Sequence, residues 1–225
     1  MIDTISGNYE VTDRELAIVE EILRAHHIKY KGVEKHKNAN DGDVLLTLLD
    51  DTKVLIEVKE EDYLSRFSKY GDIGIDLVSS FKFKNGVNPA DWKGTKEGVL
   101  VWDFFKQIDQ NGPSFKGGKI TYSKSDLWLF FSAKPDGKVV YYSFFPGEFI
   151  KSEDFKKYLI FNNKFAVNNK PADQMSHSDS TNSAVFYINH KDPYLVANTF
   201  DIKNLKRKAP DGFSGDGLSG GGMEF

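Results

Sequence analysis

Asp43-Val-Leu-Leu-Thr-Leu-Leu-Asp-Asp-Thr-Lys-Val-Leu-Ile-Glu-Val-Lys59 is the stretch that decides how this chain folds. Apolar runs on either side of Asp50, Asp51 and Thr52 predict two buried antiparallel strands joined by a short polar turn. Successive side chains of a strand point to opposite faces, so Glu57 and Lys59 share one face while Val54, Ile56 and Val58 share the other. A three-residue turn that pairs Leu49 with Lys53 sets Asp43 opposite Lys59 and diagonal to Glu57. Two carboxylates and an ammonium then meet at the end of the hairpin away from the turn. With the carbonyl of Val58, the carboxylates of Asp43 and Glu57 suit Mg²⁺ or Mn²⁺, hard cations that take oxygen ligands. Such an ion polarises a phosphodiester and lowers the pKa of a bound water. Lys59 can orient that water or neutralise charge growing on the phosphate. The same pattern also fits charges on the wet face of an edge strand, in a chain of which 28% is charged.

Working outward, Thr12 and Glu15 make a capping box for a helix whose apolar face is Leu16, Val19, Ile22 and Leu23. An extended segment from Ile28 to Val33 and a polar loop from Lys35 to Gly42 lead into the hairpin. Beyond it, strands are expected at Asp72 to Ser79, Leu127 to Ser132 and Val139 to Phe145, the last two joined by a Pro135-Asp136-Gly137 turn. Residues 80–98 read as loop, Val99 to Ile108 as a short helix or strand, Ser152 to Leu159 as a capped helix and Ala184 to His190 as a late strand.

The helix, the hairpin and the Glu-x-Lys strand resemble the αβββαβ core of the PD-(D/E)XK phosphodiesterase superfamily, whose Asp opens one strand and whose Glu-x-Lys ends the next. Those positions match Asp43, Glu57 and Lys59. The series Gly71-Asp-Ile-Gly-Ile-Asp76 and then Thr121-Tyr-Ser-Lys-Ser-Asp-Leu-Trp128 is similar to that of small phage and mobile-element members. It departs from them by Asp at 72, Asp at 76 and an insertion at about 80–118. The resemblance covers about residues 12–135. It implies an α/β fold: a restriction-endonuclease-like αβββαβ core with a mixed sheet, forming one nuclease-like domain over residues 1–209. It further implies a Mg²⁺- or Mn²⁺-dependent endonuclease or resolvase-like enzyme acting on DNA, with a non-cleaving nuclease-fold accessory and an RNA-directed nuclease as alternatives.

In that family a helix acid often completes the site. Glu15 is the first choice and Glu20 the alternative, although the capping box already accounts for Glu15. Arg66, Ser68, Lys69 and Tyr70, with Ser123 and Lys124, carry the hydroxyl and basic groups that make most phosphate contacts. An ordinary solvated loop explains them nearly as well. Asp76 either reaches the metal or faces water. The 5 histidines show no metal-ligand spacing, and neither a nucleophile elbow nor a phosphate-cradling Gly-rich loop is present between a strand and a helix.

Composition bounds the rest. A length of 225 residues with 40% hydrophobic content fills a core without a staple, and the absence of cysteine removes disulfides, thiolate metal sites and cysteine nucleophiles. No apolar run approaches a membrane span of about 20 residues, and no basic-then-apolar leader opens the chain, so a cytoplasmic protein (host cytoplasm if phage-encoded) is expected. Net charge is -3, but Asp211, Asp216 and Glu224 lie in a stretch without Lys or Arg; setting them aside leaves 30 acidic against 30 basic residues. A neutral body binds nucleic acid through a local patch, not through its overall field. Residues 210–225 read as a flexible acidic Gly-rich tail, either a solubilising end or a docking segment for a protein partner. A homodimer is compatible with all of this.

Overall fold

The computed structural model describes residues 11–38, 41–92, 94–97, 100–162, 164–170 and 181–207. The expected tail from 210, with its docking role, lies outside these residues. The fold is mixed α/β, and the chain divides into two compact units. Where the sequence suggests one domain with an insertion at about 80–118, one unit takes the described parts of 10–71, 124–150 and 190–225. The other takes 72–123 and 151–189.

The first unit holds α1 (Asp13–Ala25), β1 (Tyr30–Lys35), β2 (Val44–Leu48) and β3 (Lys53–Glu60). Thr12 starts α1 as the sequence predicts: its hydroxyl oxygen accepts from the Glu15 N–H at 3.1 Å, and the Glu15 carboxylate accepts from the Thr12 N–H at 2.6 Å. Ile18, Val19, Ile22 and Leu23 are the buried helix face. They share a core with Val54, Ile56 and Val58 of β3. Each such side chain, fully buried, contributes about 1.5–3 kcal/mol.

β1, β2 and β3 form an antiparallel meander, and β7 (Leu127–Ala133) lies beside β3 in parallel, followed by antiparallel β8 (Val139–Pro146). The sheet is therefore mixed and five-stranded, with order β1-β2-β3-β7-β8. Its hairpin register differs from the sequence expectation. Thr47 pairs with Lys53, and the Leu48 N–H donates to the Thr52 carbonyl at 2.8 Å, so the three-residue loop is Leu49 to Asp51. The loop needs a left-handed residue at its end, and Asp51 supplies it at φ 68°. Aspartate tolerates that conformation, which Thr52 would resist. The one-residue shift moves the pairing by two, so every side chain keeps its face.

Asp126 stitches the base of β7 to β3: its carboxylate accepts from the Leu55 N–H at 2.7 Å, and its own N–H donates to the Leu55 carbonyl at 2.8 Å. Gly147, opening the short helix α4 (Gly147–Lys151), donates to the Asp126 carbonyl at 2.7 Å. A β-carbon on Gly147 would sit 1.9 Å from the Ser125 carbonyl oxygen, so only glycine fits there.

The second unit is built on another five-stranded sheet, ordered β5-β9-β10-β4-β6. Its strands are β4 (Asp72–Phe81), β5 (Gly94–Glu97), β6 (Lys116–Gly117), β9 (Lys164–Lys170) and β10 (Thr181–Asn189). Helices α3 (Val101–Gln107) and α5 (Glu153–Asn162) belong to it as well. Phe104 is buried among Phe81, Phe83, Trp92, Phe105 and Phe165, with ring centroids 5.0–6.4 Å apart. The expected strand at 72–79 is present, but its partners are β10 and β6. Residues 80–98, expected to be loop, contribute the end of β4, a 3-10 turn (Pro89–Trp92) and β5. No helix among the described residues is long and apolar enough to cross a membrane.

Candidate functional site

The site grows from the free end of the β2–β3 hairpin. The ladder pairs Val44 with Ile56, so one step further Asp43 stands opposite Glu57, not opposite Lys59 as the sequence suggested. The Asp43 N–H still donates to the Ile56 carbonyl at 3.0 Å, and its carboxylate accepts from the Val58 N–H at 2.9 Å. A residue in a strand sends its N–H and its carbonyl to the same side, so the Val58 carbonyl leaves β3 toward Asp43, beyond the point where β2 begins. Asp43 and Glu57 thus share a face of the sheet at the end of the hairpin where the Val58 carbonyl leaves β3.

Asp43 is 5% exposed and Glu57 fully buried. The Lys59 Nζ lies 3.8 Å from a Glu57 oxygen and a quarter of its side chain is exposed. Burying carboxylates is costly unless opposite charge answers them, and a divalent cation at Asp43 and Glu57 would add to the charge that Lys59 supplies. The donors are all oxygen, which fits Mg²⁺ or Mn²⁺ and argues against softer metals.

The helix acids stand apart. Among the described residues no group of three or more His, Cys, Asp or Glu side chains comes together as a metal site. α1 packs on the Val54, Ile56 and Val58 face, whereas Asp43 and Glu57 project from the opposite one. Glu15 is engaged by Thr12 through both its N–H and its hydroxyl, the latter at 2.8 Å. Glu20 is half-buried on the same helix. An ion at Asp43 and Glu57 would thus complete its shell with the Val58 carbonyl and water. Arg14, next in line to Glu15, instead pairs with Glu60 at the end of β3.

Of the expected phosphate contacts, Arg66, Ser68, Lys69 and Tyr70 follow the end of β3. Arg66 lies in a π-helical turn (Tyr63–Phe67), and the others form the one-turn helix α2 (Ser68–Tyr70). Tyr70 is 52% exposed, with the Arg66 guanidinium 5.7 Å and the Lys69 ammonium 4.9 Å from its ring centre. Lys124 is exposed and pairs with Asp41 at 2.9 Å; that contact holds the Asp41 carboxyl below the usual carboxylate range. Ser123 is buried, on the second unit. Asp76 also belongs to that unit, half-buried on β4.

Sequence reasoning gave no role to three further residues on the Glu57 face. Trp128 is the register partner of Glu57 on β7, and its buried indole nitrogen has no hydrogen-bond partner among the described residues. Such a donor costs about 1–3 kcal/mol. Tyr141 stacks on Phe67 with centroids 5.1 Å apart and touches His190 at 5.0 Å. Burial pushes its phenol up to about 12; the Ser143 hydroxyl opposes that rise and the Glu61 charge adds to it. His190 holds its Nδ1 2.7 Å from the Gly71 carbonyl, which only accepts, so that nitrogen carries the proton. The signal in the sequence was the alternation along β7, where Trp128 and Phe130 share a face with no wet neighbour between them.

Comparison of the chain with family models, with curated proteins and with solved structures finds no match.

Proposed function

We propose that this protein is a divalent-metal-dependent phosphodiesterase that hydrolyses nucleic acid, DNA in the first instance. One observation carries the reading: Asp43 and Glu57 face each other across the open end of a hairpin, with the Val58 N–H holding Asp43 in place and Lys59 beside Glu57. The order of α1, three antiparallel strands and a parallel β7 supports it, because the αβββαβ resemblance leads to that arrangement.

Mg²⁺ or Mn²⁺ held by Asp43, Glu57 and the Val58 carbonyl would supply Lewis acidity and a more acidic water. The chain's own groups do the rest. The Val58 N–H fixes the rotamer of Asp43 and so the direction of its other oxygen. Lys59 places positive charge where negative charge grows on the phosphoryl oxygens. Arg66, Lys69 and Tyr70 offer cationic and aromatic contacts to a strand leaving the site.

The test is cleavage of single-stranded, double-stranded and branched DNA and of RNA, with Mg²⁺, with Mn²⁺ and with chelator. Wild type is expected to cut at least one DNA substrate only with metal. Lys59→Ala is expected to lose ~10²–10³-fold in rate and also to lower the melting temperature, because it leaves the buried Glu57 carboxylate without its ammonium. Equal cleavage by both proteins removes Lys59 from the chemistry.

The complete burial of Glu57 favours a second reading, a non-cleaving nucleic-acid-binding accessory in which Asp43, Glu57 and Lys59 form a structural ion cluster. An apolar replacement of such a cluster is often neutral or stabilising. DNA binding without cleavage under any metal, together with a stable Glu57→Leu/Lys59→Met variant, selects it.

A further inference from the structure

We infer that Trp128 is a positioning residue for the hydrolytic water: its indole N–H and the Glu57 carboxylate hold one water molecule between neighbouring strands. The inference rests on the hydrolytic reading above and deepens it at the same site.

Trp128 and Glu57 are register partners on parallel strands. Their Cα atoms are therefore about 4.8 Å apart and both side chains leave the same face of the sheet. Two neighbours of Trp128 on that face are aromatic rings. Phe130 stacks on it from two residues along β7, with centroids 5.9 Å apart and rings inclined by 22°. Phe145 is its register partner on β8. All three rings are buried, and the indole nitrogen meets no acceptor among the described residues.

Phe130 and Phe145 thus offer carbon, and the register partner on β3 offers a carboxylate. A buried water needs two to four polar partners. Here it accepts from the indole N–H and donates to Glu57. Its second lone pair is left for phosphorus: as the water oxygen forms the new P–O bond and passes a proton to Glu57, the P–O bond to the leaving sugar oxygen breaks, and that oxygen takes a proton from solvent. A phenylalanine, as at 130 and 145, would supply a ring of the same apolar character and most of the volume; what tryptophan adds is the second ring and its donor. The donor separates positioning from packing.

Trp128→Phe in the full chain is the variant that tests this. Removing a buried donor without a protein acceptor offsets part of the cost of the space that the smaller ring leaves, so the fold is expected to persist with a melting temperature a few degrees below wild type. Metal-dependent cleavage is expected to fall ~10–100-fold in kcat with KM unchanged, since substrate contacts lie elsewhere.

A second readout is independent of cleavage. The chain has 3 tryptophans, and the indole N–H signal missing from the Trp128→Phe spectrum belongs to Trp128. In wild type that proton is expected to show a rotating-frame cross-peak to a long-lived water, and Glu57→Gln is expected to shift its resonance. A missing cross-peak overturns the water site. A cross-peak with unchanged kcat in Trp128→Phe overturns the positioning role. If wild type cuts nothing, the hydrolytic role falls with the function proposed above. The cross-peak and the Glu57→Gln shift then decide the water site by themselves.

Discussion

Replacing Asp126 by alanine should cost more than any exposed acidic residue of this size would suggest. Its carboxylate accepts from the Leu55 N–H at 2.7 Å, two residues before Glu57, and no neighbouring strand replaces that acceptor once the side chain is gone. A hydrogen bond to a charged acceptor is worth about 1.5–3 kcal/mol. For a chain of 150–250 residues each kcal/mol shifts the melting temperature by about 2–4 °C, so Asp126→Ala should melt ~3–12 °C below wild type. Asp126→Asn keeps a carbonyl oxygen in the same place and loses only the charge, so it should fall about half as far. Thermal melts followed by circular dichroism measure both drops. Hydrogen exchange at the Leu55 amide localises them: that proton should exchange faster in Asp126→Ala than in Asp126→Asn. If Asp126→Ala melts with wild type, or Asp126→Asn falls as far as Asp126→Ala, the carboxylate does not hold β3 by this bond.

Gly147→Ala must move the Ser125 carbonyl or the start of α4, because the added β-carbon would lie 1.9 Å from that oxygen. The expected loss is about 1–3 kcal/mol by denaturant titration, and an unchanged midpoint would contradict the close approach. Glu15→Ala breaks the capping box and should cost about 0.3–1.5 kcal/mol while metal-dependent cleavage continues; loss of cleavage at intact stability would restore Glu15 to the site. Tyr141 titrates near 12 when folded and near 10 when unfolded, so the unfolded chain releases its proton first and stability should fall between those values. Tyr141→Phe should show a shallower decline of melting temperature over that range, and identical profiles would remove the effect of burial on the phenol.

The first unit was legible where its signals are local. Thr12 and Glu15 announce α1, the polar triplet at 50–52 announces the hairpin, and the 135–137 turn announces β7 and β8. Face assignment followed from alternation alone, which is why Asp43, Glu57 and Lys59 were grouped although the register was off by two. That error has a local cause, since either Asp51 or Thr52 can close a three-residue loop on paper and only the left-handed tolerance of aspartate decides. In the second unit β4, α5 and β10 were legible as elements but their pairing was not. β4 reads clearly as a strand, but its partner β10 begins 100 residues after β4 ends, and nothing in either segment names the other. β5 and β9 are polar or Asn-rich and carry no strong strand pattern. Trp128 was visible as a residue but not as an orphaned donor, because hydrogen-bond satisfaction belongs to packing, not to sequence.

The central claim is that Asp43 and Glu57 hold a divalent cation, and calorimetric titration of Mn²⁺ into wild type and Asp43→Asn tests it most directly. Asparagine keeps an acceptor for the Val58 N–H, so the variant removes charge and not the fold. Wild type should bind Mn²⁺ saturably, and Asp43→Asn should bind it at least ~10–100-fold more weakly, because losing a ligand's charge costs no less than losing a group that merely supports a ligand. Equal affinity in the two proteins, or no binding by wild type, would contradict the account.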